Sequence, residues 1–134
     1  YALTQEIKDK ILLKTWKDLK LYCLSQLSHK KHEEFHVLYM DTKGALIKDE
    51  TISSGTIDYA TIYPRNLVKE ALECNAKSII LVHNHPSGDL VPSANDLKIT
   101  KEIQNMLTPI GITLIDHIIV GKNEIQTFKD LGVW

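Results

Sequence analysis

The chain has 134 residues, 43% hydrophobic and 25% charged, with a formal net charge of −1. That is ordinary for a soluble globular protein and sufficient for one domain with its own core. No apolar run approaches the length of a membrane span and no secretory pattern opens the chain. Two cysteines, Cys23 and Cys74, are too few for a disulfide framework; both fall in apolar, helix-like segments, so core packing in a reducing, cytoplasmic setting is expected.

Residues 4–27 repeat apolar side chains at three- and four-residue steps (Ile7, Ile11, Leu12, Trp16, Leu19, Cys23, Leu24, Leu27), which predicts helix with a break near Thr15. Residues 1–31 carry seven lysines against Glu6, Asp9 and Asp18, while the remainder carries more acid than base. The lysines alternate with acids and leucines, so a solvated helix face is preferred over a nucleic-acid contact. Phe35, Val37 and Tyr39 then alternate with His36, Leu38 and Met40, and residues 41–44 supply turn chemistry, so a strand, a tight turn and a second strand over 45–53 follow. Tyr63-Pro64 opens a helix whose stripe is Leu67, Val68, Ala71 and Leu72, ending at Asn75. A central strand over 77–83, a helix from Ser93 to about Leu107 stopped by Pro109 and Gly111, strands over 112–120 and 124–128, and a short terminal segment complete the chain. This order predicts an α/β fold, a mixed sheet with helices on both faces.

The chemistry concentrates where the central strand ends. Side chains alternate along a strand, so His83 and His85 share a face, and Pro86-Ser87-Gly88 breaks the strand behind them. Ser93 is a good N-cap and Asp96 lies in the first helical turn. A loop of this length can bring Asp96 beside the two imidazoles, giving two nitrogens and one oxygen with a fourth position open, as catalytic zinc sites are built. Each piece has a simpler reading alone: a chance histidine pair among six, a Ser93–Asp96 capping interaction, solvated acids at Asp89 and Asp96. Their convergence at one strand end favours the metal.

His83-x-His85, seven residues, Ser93, two residues, Asp96 resembles the JAMM (MPN+) metal motif, and the longer string, His-Asn-His-Pro-Ser-Gly followed by Pro-Ser-x-x-Asp-x-x-x-Thr, is similar to the RadC branch of that family. The resemblance extends to Tyr63-Pro64-Arg65, to residues 116–121 and to the Asp41-Thr42-Lys43 turn, and spans roughly 32–134. It implies a three-layer sandwich related to the cytidine-deaminase-like architecture, with residues 32–134 as the domain. Residues 1–31 would be a helical extension, either part of the same compact unit or the remnant of an upstream region. The chain begins with Tyr1 and not Met, which suggests a piece of a longer protein; family members carry an upstream helical region with helix-hairpin-helix character.

Carried over residue by residue, the resemblance makes His83, His85 and Asp96 the ligands of one zinc ion. It makes Glu33, in preference to its neighbour Glu34, the base that activates water, and Ser93 the hydroxyl that supports developing negative charge. Ser87 and Thr100 match the RadC string as supports of the loop and of the ligands. His117, following Asp116 on a strand, is a candidate support or substrate contact; the simpler reading is a partly buried histidine bonded by its neighbours. The implied reaction is hydrolysis of an amide or isopeptide bond in a peptide or small amide.

A nucleobase deaminase would need His-x-Glu and Pro-Cys-x-x-Cys, and a helical zinc protease His-Glu-x-x-His; none is present. The alternative that remains is a DNA-repair-associated module binding nucleic acid or protein, with a structural or vestigial metal site and with DNA or a repair protein engaged through the upstream region.

Overall fold

The computed structural model describes residues 11–134. Five strands form one mixed sheet in the order β2-β1-β3-β4-β5: β1 is Glu34–Met40, β2 Leu46–Ser54, β3 Ser78–Asn84, β4 Thr113–Val120 and β5 Ile125–Thr127. The pair β3–β4 is parallel and every other pair antiparallel. Helix α1 is Trp16–Leu27, α2 Pro64–Glu73, α3 Ala94–Leu107 and α4 the short Phe128–Leu131. A parallel pair needs a crossover connection, and α3 supplies it between β3 and β4. The C-terminal end of β3 therefore faces the N-terminal end of α3 across one loop.

The layers follow from alternation along the strands. Phe35, Val37, Tyr39, Ile79 and Leu81 pack against Leu67 and Ala71 of α2 and Ile99, Ile103 and Leu107 of α3. The intervening Leu38, Met40, Ile80 and Val82, with Ile118 and Val120, pack against Leu19, Cys23 and Leu27 of α1. Burying each such large side chain stabilises the fold by about 1.5–3 kcal/mol before entropy is counted. The result is helix, sheet, helices: a three-layer α/β sandwich, as the element order predicts.

Local departures have local causes. Of the helix expected over 4–27, residues 16–27 are helical, and the expected break falls at Thr15, whose Oγ1 accepts the Asp18 N–H at 3.1 Å; residues 4–10 lie outside the described residues. Before that cap the backbone pairs with the β1–β2 turn instead: Leu13 N–H donates to Gly44 O at 2.7 Å and Leu46 N–H to Ile11 O at 2.8 Å. Ile11, Leu12 and Trp16 are accordingly exposed and do not continue the α1 core stripe. The turn itself is held by Asp41 Oδ1, which accepts from Lys43 N–H and Ala45 N–H, with Gly44 at φ 78°. Strand β1 is buried on both sides, because α1 covers the face that alternation alone would leave to solvent. Leu72 and Met106 point outward from the predicted stripes of α2 and α3.

Candidate metal centre

Histidines 83 and 85 close the C-terminal end of β3, where the sheet switches from an antiparallel neighbour, β1, to a parallel one, β4. In open α/β sheets ligands collect at such switch points. The backbone continues the ladder one residue past the strand, as His85 N–H donates to Val120 O at 2.9 Å. The following loop folds back tightly: Gly88, at φ 89°, donates its N–H to His85 O. Gly121 permits the close approach, since a Cβ there would meet Leu90 Cδ2 at 2.9 Å.

Ser93 caps α3 with a capping box. Its Oγ accepts the Asp96 N–H at 3.0 Å, and its own N–H donates to Asp96 Oδ2 at 2.8 Å. This fixes Asp96, fully buried, with its carboxylate toward the histidines: Oδ2 is 3.3 Å from His83 Nε2 and 4.0 Å from His85 Nε2. The two Nε2 atoms are 3.1 Å apart, and one ligand atom from each of the three residues lies within 4.8 Å of the others.

The donor set fits a divalent cation. His85 Nδ1 lies 2.6 Å from the carbonyl of Asp89, which can only accept, so the His85 proton sits on Nδ1 and its Nε2 lone pair faces the cluster. Two imidazole nitrogens and one carboxylate oxygen leave a fourth tetrahedral position open.

Glu33 and Glu34 part company. Glu34 turns to the α1 face, with Oε1 2.8 Å from His36 Nε2 and Oε2 3.7 Å from Lys30 Nζ. Glu33, on the other parity, lines a groove of about 500 Å³ together with His85 and the loop residues Ser87 and Asp89. Asn84, between the two histidines and pointing away from them, holds this segment: its Oδ1 accepts the Glu34 N–H at 2.7 Å and its Nδ2 donates to His32 O at 3.0 Å. Strand β3 thus carries the two histidines on one face and the clamp for the Glu33 segment on the other.

The cap uses only a lone pair of the Ser93 oxygen, and the Ser93 side chain also hydrogen-bonds the Tyr59 phenol. Ser87 is exposed, and its Oγ accepts the Asp89 N–H at 3.2 Å, stiffening the loop. Thr100 and His117 are both buried behind His83: Thr100 Oγ1 is 2.5 Å from His117 Nδ1, and His117 Nε2 is 2.7 Å from His83 Nδ1. His117 stacks on Phe128, with ring centroids 4.2 Å apart, and meets Phe35 edge-on. Burial pushes its imidazole well below its ordinary range, so it is neutral.

Tyr59 belongs to the site although no motif announces it. It opens the short 3₁₀ turn Tyr59–Thr61 after β2, and its hydroxyl donates to Asp96 Oδ1. Burial, then the bond to Asp96, pushes the phenol above its ordinary range, so it remains a donor. Only a long-range contact defines it; within its own segment it reads as one more half-buried aromatic.

The chain matches the RadC-like JAB domain family over residues 13–133. It is 43% identical over 121 residues to a UPF0758 protein of Ruegeria pomeroyi, an overlap of 90% of this chain and 54% of the relative. A UPF0758 protein of Rhodobacter capsulatus is 42% identical over 122 residues, 91% of this chain and 57% of the relative. The chain therefore spans just over half the length of these curated relatives. From a match that runs through both central strands, the crossover helix and all three converging donors, the chain belongs to the RadC-like JAB domain family.

Proposed function

We propose that this domain is a zinc-dependent hydrolase of amide or isopeptide bonds, holding one zinc ion on His83, His85 and Asp96. The observation that carries the reading is the convergence of these three side chains at the edge of the groove that Glu33 lines. Zinc, when bound, would polarise a carbonyl oxygen and acidify a water molecule. The chain's own residues do the rest. Glu33 accepts the proton of the attacking water and returns it to the departing amine nitrogen. Ser93 donates its hydroxyl proton to the oxygen on which negative charge develops. Asn84 anchors the Glu33 segment by binding the backbone on either side of it. Tyr59 holds Asp96 Oδ1, leaving Oδ2 to face the two imidazoles.

The groove is open and is lined by charge of both signs, Lys31 with Glu33 and Asp89, which suits an extended peptide or isopeptide better than an apolar metabolite. The same mixture, with a net charge of −1, argues against a nucleic-acid-binding module, which needs a basic face. A reducing, cytoplasmic setting is part of the proposal, in keeping with free thiols at Cys23 and Cys74.

The test is Glu33→Gln assayed on a panel of peptide and isopeptide substrates. The variant is expected to hold zinc at wild-type stoichiometry while kcat falls by about 10²–10⁴-fold. Zinc-loaded wild type that turns over nothing on the panel, or a Glu33→Gln variant of undiminished kcat, overturns the hydrolase reading.

A further inference from the structure

We infer that Thr100 and His117 are positioning residues that lock His83 in the tautomer whose Nε2 lone pair faces the metal, through a chain of three hydrogen bonds that begins at the Asp96 carbonyl. The inference rests on the reading of His83, His85 and Asp96 as zinc ligands, and adds how the protein presets one of them.

The number of protons available fixes the direction of each bond. Thr100 Oγ1 lies 2.7 Å from the backbone carbonyl of Asp96, one helical turn earlier. A carbonyl only accepts, and a hydroxyl has one proton, so that proton goes to Asp96 O. Thr100 Oγ1 can then only accept from His117 Nδ1, 2.5 Å away, which places a proton on Nδ1. His117 is fully buried between the rings of Phe35 and Phe128, with no carboxylate bonded to its ring, so it is uncharged and has no second proton. Its Nε2 therefore accepts from His83 Nδ1 at 2.7 Å. The His83 proton is thereby held on Nδ1, and its Nε2 is left as a bare lone pair 3.3 Å from Asp96 Oδ2.

The Asp96 carbonyl terminates the relay, and the Asp96 carboxylate lies beside the nitrogen that the relay exposes. His85 is set separately, by the Asp89 carbonyl, in the same tautomer. Two lone pairs then point at each other across 3.1 Å, an arrangement that a cation relieves. Partners of this kind behind a metal-bound histidine typically alter metal affinity by about 10–100-fold.

The experiment is nitrogen-15 NMR of the imidazoles in the metal-free full chain, combined with zinc titration, for wild type, Thr100→Val and Thr100→Ser. The wild type is expected to show His83, His85 and His117 all protonated on Nδ1. Thr100→Val, which keeps the shape but frees His117 Nδ1, is expected to lose the single tautomer at His83 and to weaken zinc binding about 10–100-fold. Thr100→Ser, which keeps the hydroxyl, is expected to restore both. A wild-type His83 protonated on Nε2 overturns the inference, as does Thr100→Val with unchanged tautomers and zinc affinity. Failure of the hydrolase reading looks different: a zinc-loaded, inactive wild type whose imidazoles still carry the expected protons.

Discussion

Two buried histidine clusters lie on opposite faces of the same sheet, and the contrast between them separates a structural histidine from a ligand. On the α1 face, His36 has a carboxylate on each ring nitrogen: Asp49 Oδ1 at 2.7 Å from Nδ1 and Glu34 Oε1 at 2.8 Å from Nε2. Tyr22 completes the group by donating to Asp49 Oδ2 at 2.5 Å. On the α3 face, His83 and His85 have one nitrogen each matched and the other turned toward its neighbour at 3.1 Å. The first arrangement is satisfied within the chain, with an imidazolium between two anions. The second brings together acceptors and an anion, a group that could hold a cation. Burial and the presence of a carboxylate, which the clusters share, do not distinguish them; the partner of the second ring nitrogen does.

The sharpest way to break the comparison is to remove one histidine from each cluster. His83→Ala is expected to weaken zinc binding by more than 100-fold, whereas His36→Gln leaves stoichiometry and affinity at wild-type values, both read by titration with a chromophoric zinc competitor. Comparable loss in both variants would mean that the clusters are not different in kind.

A second effect concerns the link between sheet and groove. Asn84→Ala removes two hydrogen bonds to the segment carrying Glu33. It turns the part-buried Glu34 N–H and His32 carbonyl over to water, a loss of about 0.5–1.5 kcal/mol each, so a lower unfolding midpoint is expected, together with reduced kcat and unchanged zinc affinity. Full activity in this variant would show that Glu33 is held by something else.

The His36 cluster predicts its own pH dependence. Burial alone would depress the His36 imidazole, but Asp49 and Glu34 raise it above its ordinary value of 6.5. Its stabilisation is therefore complete below that value and is lost as pH rises through the raised one. Burial would raise the Asp49 carboxyl, but His36 and Tyr22 hold it below its ordinary 3.8, so its contribution is complete above that value and lost as pH falls. The difference in stability between wild type and His36→Gln should thus be greatest at mildly acidic pH, about 1.5–3 kcal/mol, and shrink toward alkaline pH in urea unfolding. A difference that grows with pH would contradict the ion-pair account.

The smallest effect is expected at Tyr59. Tyr59→Phe removes the donor to Asp96 Oδ1 while the cap from Ser93 still holds Oδ2. Zinc affinity should fall only severalfold in the same titration; an unchanged affinity would remove Tyr59 from the site.

The fold and the three donors were legible in the sequence because each depends on short-range geometry. Period-two alternation sets His83 and His85 on one face, and the Ser93 cap fixes where the first helical turn presents Asp96. The same alternation separates Glu33 from Glu34. Tyr59 and the bracing role of Asn84 were not legible, because their partners lie 37 and about 50 residues away in sequence and only the folded chain brings them close. Residues 11–14 misled for a related reason: their spacing is helical, but the β1–β2 turn takes the backbone hydrogen bonds of Ile11 and Leu13. His36 likewise falls at a position that alternation assigns to solvent, and only the packing of α1 buries it.

The most direct test of the central claim is anomalous diffraction at the zinc edge from crystals of the zinc-loaded protein. The account predicts one strong peak bonded to His83 Nε2, His85 Nε2 and Asp96 Oδ2, and none beside His36. Zinc absent from that triad in crystals where it occupies another site, or a peak beside His36 of equal height, would contradict it.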